Sequence, residues 1–110
     1  MIAIDMHAHV PRNPNLPEIE EEKYLKRYFK AKDVPKDTDD MASKYKNWDM
    51  LAVIFSVNTQ TSTGDIPDGN EYVADIVNKY PEQFIGFATI DPWMGKAALL
   101  EIERSVSLGL

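Results

Sequence analysis

The 110-residue chain is 44% hydrophobic and 27% charged, a composition that indicates a folded domain and excludes a disordered segment. Its formal net charge of -6 and its pI of about 4.8 lack the basic footprint of a nucleic-acid-binding protein. The absence of cysteine excludes disulfides, thiolate metal sites and a cysteine nucleophile, and it fits a cytoplasmic location.

The first predicted element is a short, fully buried strand from Met1 to Met6, in which Asp5 is the only polar residue. Such a run is typical of a parallel sheet that is covered on both faces. It is too short for a signal peptide or a transmembrane helix, so we expect neither of these and no membrane partner. Because Pro11 cannot continue a central strand, His7 and His9 are predicted at the C-terminal end of this strand.

Two helices are predicted after this strand, in a helical insertion that spans residues 11–49. The first runs from Glu18 to Lys32, with acidic residues at its start and basic residues at its end, as the helix dipole favours. Its acidic start is expected to be solvated. The second presents Met41, Tyr45 and Trp48 at i, i+4 and i+7, which is the spacing of one helix face.

The remainder of the chain alternates strands and helices. A second strand is predicted at Met50–Val57, a helix at Asn70–Tyr80, a third strand at Phe84–Ile90 and a last helix at Lys96–Leu108. This alternation implies right-handed βαβ crossovers and a parallel sheet. The buried face of the last helix is predicted to contain residues on successive turns: Leu99, Ile102 and Val106.

Three segments follow the predicted strands, at residues 7–12, 58–69 and 91–95. Parallel strands place their C-terminal ends together, so these segments are expected to converge on one rim of the sheet. The rim is where catalytic groups collect in parallel α/β proteins.

The pair His7 and His9 is the pattern that indicates chemistry. Residues i and i+2 of a strand point the same way, so the two imidazoles can converge on one point, as metal–nitrogen bonds of ~2.0–2.1 Å require. They are the only histidines of the chain, and imidazole suits zinc and other borderline transition metals. The spacing predicts two metal ligands, and a satisfied or solvated histidine pair is the alternative.

The segment Ile4–His9 resembles the first-strand motif of the amidohydrolase superfamily. The segment Asn70–Leu110 resembles the amidohydrolase-related branch, most specifically from Tyr80-Pro81-Glu82-Gln83-Phe84 to Asp91-Pro92. That branch includes aminocarboxymuconate semialdehyde decarboxylase, resorcylate-type decarboxylases and pyrone dicarboxylate lactonase. The resemblance covers Met1–His9 and about Ala52–Leu110, whereas residues 11–50 match poorly.

The resemblance implies an α/β fold in which the chain forms the N-terminal portion, about three βα units, of a TIM (β/α)8 barrel. It implies one divalent metal, usually zinc, with His7 and His9 as its first two ligands. The implied activity is that of a metal-dependent hydrolase or non-oxidative decarboxylase, which acts on a small carboxylated substrate; aromatic compounds and lactones are among the candidates. A full barrel needs ~250 residues, and the family's later histidines and aspartate are absent here. We therefore expect a longer protein, of which this segment alone is inactive.

Four residues near the predicted strand ends are candidates for substrate binding. Arg12 could pair with a substrate carboxylate or be solvated, and Asn58 could border the pocket. Asp91 could face the site or serve as a turn residue, and Trp93 could line the pocket or pack elsewhere. Asp5 is expected to face away from the histidines and to fix a neighbouring loop by hydrogen bonds.

Two other functions stay open at this point. One is a metal-dependent phosphoesterase or deoxyribonuclease of a sister barrel family that also begins with H-x-H; the Tyr80–Asp91 resemblance and Pro11 argue against it. The other is a non-catalytic fragment that docks on another chain. Metal content separates that fragment from the enzymes, and homo-oligomer formation is open in each case.

Overall fold

The computed structural model describes all 110 residues. Its elements follow in the order β1 (Ala3–His9), α1 (Glu20–Tyr28), α2 (Thr38–Asn47), β2 (Met50–Phe55), α3 (Gln60–Thr63), α4 (Asn70–Lys79), β3 (Phe84–Gly86), a 3-10 turn (Pro92–Met94) and α5 (Lys96–Ser107). The strands form one sheet in the order β1-β2-β3, and both pairs are parallel. The predicted α/β class is therefore confirmed. None of the helices has the length and apolar character needed to cross a membrane.

The hydrophobic core lies on one face of the sheet. Ala52 and Ile54 of β2 and Phe84 of β3 belong to this face, because Ala52 is aligned with Phe84 in the ladder. Both α2 and α4 pack on it. They contribute buried side chains to the same cluster: Met41, Ala42, Tyr45, Val73 and Ile76. The helices α2 and α4 therefore cover the same side of the sheet.

The opposite face of the sheet carries apolar side chains that are partly exposed. Ile85 of β3 is 42% exposed, although its neighbour Val53 in the middle strand is buried. Most of β1 is also exposed, including Met6 at 62%. The prediction that the first strand is fully buried is wrong, because β1 is an edge strand with helices on one side only.

A β-bulge interrupts β1 between Asp5 and Ala8. Asp5 is aligned with Ala52 and Ala8 with Ile54, so three steps along β1 match two along β2. Asp5 and Ala8 therefore both face the helices, and Ala8 joins the core. His7 must then point to the other side, which confirms that Asp5 faces away from it.

The side chain of Asp5 forms hydrogen bonds with α2 and with the bulge. The expectation that it fixes a neighbouring loop is therefore wrong. The Asp5 Oδ2 accepts a hydrogen bond from the Tyr45 hydroxyl of α2 at 2.7 Å, and its Oδ1 accepts from the His7 backbone N–H at 3.0 Å. Both hydrogen bonds, the Tyr45 one above all, lower the pKa of Asp5. Burial and the same bond raise the pKa of Tyr45 to about 12, so its hydroxyl remains a donor at neutral pH.

The first predicted helix is shorter than expected at both ends. It was predicted over Glu18–Lys32, whereas α1 ends at Tyr28. Lys30 adopts a left-handed conformation with φ of 49°, which cannot continue an α-helix. The second helix begins at Thr38, where the Asp37 side chain accepts a hydrogen bond from the Asp40 N–H at 2.8 Å.

The third strand ends at Gly86, four residues before the predicted boundary at Ile90. Beyond Gly86 the backbone forms hydrogen bonds with the first residue of α4: the Thr89 N–H donates to the Asn70 Oδ1 at 2.7 Å. The Asn70 side chain also donates to the Thr89 carbonyl at 3.0 Å. A buried asparagine at the start of α4 thus replaces the β ladder.

The helices α4 and α5 match their predicted bounds to within one residue, but the face of α5 is different. The predicted face of Leu99, Ile102 and Val106 is exposed, and that prediction is wrong. Ala98 and Ser105 are buried instead. The Glu101 carboxylate, between them, accepts a hydrogen bond from Asn70 at 2.9 Å, which fixes the rotation of the helix.

We predict that Tyr45→Phe destabilises the fold by about 1.5–3 kcal/mol, the usual contribution of a hydrogen bond to a charged group. The full loss should be present between the acid range in which Asp5 becomes protonated and ~pH 10, where an unfolded tyrosine is still protonated. It should disappear as the pH rises through about 12, the pKa of Tyr45. Urea denaturation measures it. Tyr24→Phe, on the exposed face of α1, is the control, and equal losses in both variants would contradict the role of Tyr45.

We also predict that Gly86→Ala destabilises the protein by about 1–3 kcal/mol through overpacking. A Cβ at this position would lie 2.9 Å from Val77 Cγ2 and would collide with Leu110 Cδ2. Thermal or urea unfolding of a double-mutant cycle with Leu110→Ala tests this contact. The substitution should cost less in the Leu110→Ala background; an unchanged cost would show that Leu110 is not the obstacle.

Candidate metal centre

The rings of His7 and His9 meet at the C-terminal end of β1. Their Nε2 atoms are 3.1 Å apart. Two metal–nitrogen bonds of ~2.0–2.1 Å at a tetrahedral angle separate the nitrogens by about 3.3–3.4 Å. The two donors therefore converge on a common point within a few tenths of an ångström of a chelating geometry. Without a metal, the same distance lets the N–H of one ring donate to the bare nitrogen of the other.

Phe55, the last residue of β2, holds both imidazoles edge to face. Its ring centroid is 4.8 Å from that of His7 and 4.9 Å from that of His9. The ladder aligns Phe55 with His9, so the aromatic contact follows from the strand register. Sequence reasoning missed this residue; the signal available was its place as the last apolar residue of the neighbouring strand.

The surroundings of His9 favour its neutral form. Partial burial lowers the pKa of His9, the neighbouring His7 ring lowers it further, and the carboxylate of Glu22 acts in the opposite direction. A neutral imidazole is the form that binds a metal ion. The local electrostatics therefore suit a ligand.

Two cavities meet at His9, and α1 lines both of them. The first has a volume of about 260 Å³ and lies between His9, Phe55, α1 and the loop after β2. The second, of about 320 Å³, lies between His9, α1 and the segment before α2. Four residues line both cavities: His9, Val10, Glu22 and Leu25. Ligand sites commonly occupy ~300–1,000 Å³, so the second cavity reaches the lower end of this range and the first lies just below it.

Arg12 lines the second cavity, and its Nε and Nη2 are engaged by the protein, whereas its Nη1 is buried without a hydrogen-bond partner. Its Nε and Nη2 donate to the Pro17 carbonyl at 3.1 and 3.0 Å, and its Nη1 lies 3.4 Å from the Asp68 carboxylate. The side chains of Arg12 and Asp68 are only 12% and 9% exposed. Arg12 is therefore not a solvated surface residue; it joins the segment after β1 to the loop after β2.

The other three candidates lie further along the rim. Asn58 borders a groove between the ends of β2 and β3, and its Oδ1 accepts from the Gln60 N–H at 3.2 Å. Asp91 is buried and acts as a turn residue, since its Oδ1 accepts from the Trp93 N–H at 3.0 Å. Its other oxygen accepts from the Thr61 hydroxyl, which lowers the pKa of Asp91. Trp93 is 81% exposed and lines none of these three cavities.

These contacts join the three segments that follow the strands. The Arg12–Asp68 pair links the first to the second, and the Thr61–Asp91 hydrogen bond links the second to the third. The predicted convergence on one rim is confirmed. The histidines and Arg12 lie at its β1 end, whereas Asp91 and Trp93 lie at its β3 end.

The histidine pair supplies two donors, and no set of three or more His, Asp or Glu side chains is arranged to hold a metal ion. No protein-family model, curated protein or solved structure matches the chain.

We predict that Asp91→Ala lowers the melting temperature by about 4–8 °C, the shift that a loss of 1 kcal/mol causes in a domain of this size. The reason is that the variant leaves the Thr61 hydroxyl and the Trp93 N–H without their acceptor. Trp93→Ala is the control, because an exposed side chain contributes little to stability. Calorimetry measures both, and a larger shift in Trp93→Ala would contradict the assignment of Asp91 as a structural residue.

Proposed function

We propose that the chain forms part of a metal-dependent (β/α)8-barrel enzyme of the amidohydrolase-related branch. The activity would be hydrolysis or non-oxidative decarboxylation of a small carboxylated substrate. The metal would be one divalent ion, for which zinc is the best fit to imidazole. The observation that carries the proposal is the convergence of the His7 and His9 Nε2 atoms, 3.1 Å apart, at the C-terminal end of a parallel strand.

The barrel part of the proposal is supported by the way the helices are placed. A doubly wound sheet reverses its strand order and carries helices on both faces. Here the order is sequential, and α2 and α4 lie on one face. A barrel turns its other face inward and fills it with branched apolar side chains. Ile4, Val53 and Ile85 occupy that face and would form an interior layer.

The roles of the residues follow from their positions. His7 and His9 would hold the metal, and Phe55 fixes the orientation of both rings. When bound, the metal supplies a Lewis acid and lowers the pKa of its water toward ~7. Val10 and Leu25 give both cavities beside His9 an apolar lining, which helps to exclude bulk water from the reacting groups. Arg12 positions the second cavity wall through its bonds to Pro17 and Asp68.

We predict that His7→Gln and His9→Gln each weaken Zn²⁺ binding by at least ~10-fold, because losing a ligand should cost no less than losing an outer-shell partner. Affinity is measured by competition with a chromophoric chelator, and circular dichroism checks the fold. Met6→Gln, an exposed neighbour in the same strand, is the control and should bind like the wild type. Equal affinity in the wild type and both histidine variants would overturn the proposed function.

A further inference from the structure

The two cavities beside His9 differ in the charge of their walls. The first is lined by four carboxylates and by no lysine or arginine; they belong to Glu21, Glu22, Asp65 and Asp68. The second is lined by three cations and one carboxylate, which belong to Arg12, Lys26, Lys36 and Glu22. Because the whole chain has a formal net charge of -6, this excess of positive charge does not follow from the composition. An anion is therefore repelled by the first cavity and attracted by the second.

Neither lysine of the second cavity has a carboxylate partner. Lys26 lies on α1 and Lys36 lies in the segment before α2, and both side chains are exposed. The carboxylates of Glu18 and Asp40 are engaged by other lysines, at 2.6 and 3.7 Å. A lysine side chain is a flexible stem that carries a point charge, so both ammonium groups can turn toward an anion in the cavity.

Arg12 is the fixed cation of the second cavity. Its side chain is only 12% exposed, and its hydrogen bonds to the Pro17 carbonyl hold the guanidinium in place. The Nη1 atom is buried and donates no hydrogen bond, although the Asp68 carboxylate lies 3.4 Å away. A buried donor without an acceptor costs free energy, which an oxygen atom of a ligand would recover. The guanidinium therefore lacks an acceptor beside a cavity that has an excess of positive charge.

We propose that the second cavity binds a carboxylate group of the ligand, with Arg12 as its fixed donor and Lys26 and Lys36 as its mobile cations. Guanidinium and ammonium groups form strong, charge-assisted hydrogen bonds with carboxylate oxygens. Three cations outweigh the single carboxylate of Glu22, so the cavity keeps a positive excess that an anion would neutralise. The inference rests on the proposed function, which supplies the choice of a carboxylate over other anions.

The test is a titration of the protein with succinate at low ionic strength, followed by NMR of the backbone amides. Lys26→Gln and Lys36→Gln should each weaken succinate binding by about 3–5-fold, the loss expected for a partly solvated ion pair. The double variant should weaken it by about 10–25-fold, because the two contacts are independent. The lysines are chosen because Arg12 also supports the fold through its contacts with Pro17 and Asp68.

Arg27→Gln is the matched control, because Arg27 follows Lys26 on α1, is exposed and lines neither cavity. It removes one positive charge from the same helix and should leave succinate binding nearly unchanged. Succinamide, the neutral diamide of the same length, should bind more weakly than succinate. In the wild type, succinate should shift the amide signals of Arg12 and Lys36 and leave that of Asp65, in the wall of the first cavity, unchanged.

Equal succinate affinity in the wild type and in the double lysine variant would overturn the inference. Equal losses in Lys26→Gln and Arg27→Gln would also overturn it, since they would reveal only the net charge of α1. Tighter binding of inorganic phosphate than of succinate would overturn the choice of a carboxylate. The proposed function is tested separately by Zn²⁺ binding: unchanged affinity in His7→Gln and His9→Gln removes the metal centre, whereas intact Zn²⁺ binding without a succinate effect removes only the carboxylate site.

Discussion

One extra residue in β1 sets the direction of both histidines. Strict alternation would place Asp5, His7 and His9 on the same face of the strand. The bulge between Asp5 and Ala8 breaks that alternation, so the carboxylate reaches the helices while the imidazoles reach the rim. The His7 amide donates to the Asp5 carboxylate, so an amide at the irregular part of the ladder is not left without an acceptor. The geometry of the candidate centre depends on this short hydrogen-bonded loop of the strand.

The two sides of the candidate centre differ in how firmly they are held. The histidines belong to a strand paired with the buried middle strand, and Phe55 restricts both rings. The side formed by α1 has no buried residue and no side-chain cap. A rigid side fixes the donor geometry, and a loosely held side can adapt to what binds. The same asymmetry explains why two cavities remain open beside α1.

The parts of the fold that the sequence predicts well are those with strong local periodicity. The helix α4 and the strand β2 follow from their apolar spacing, because their packing partners lie on the face that the pattern indicates. The rotation of α5 could not be predicted, since a buried polar contact between Asn70 and Glu101 overrides the apolar stripe. The end of β3 was missed for a related reason, because the side chain of Asn70 competes with the ladder.

In the candidate site, too, the features that depend on local spacing could be predicted, and those that depend on contacts between elements could not. The i, i+2 spacing of His7 and His9 is local, so the convergence of their nitrogens could be predicted from the strand alone. The contact of Phe55 with the imidazoles depends on the register between two strands. The place of Glu22 in the walls of both cavities depends on the rotation of α1 over the sheet. Neither quantity is encoded within a short window of residues. The acidic start of α1 therefore looked uniformly solvated, although one of its carboxylates is turned inward.

Under the proposed function, the firmly held side of the centre has a thermodynamic consequence. The two histidines are ordered with the sheet, so an ion between them would gain their bonds with little further loss of conformational entropy. Their Nε2 atoms, 3.1 Å apart, are already close to a chelating separation, so the rings would have little distance to move. The affinity of the pair would therefore depend on the strand register and on the Phe55 contacts more than on the loosely held α1.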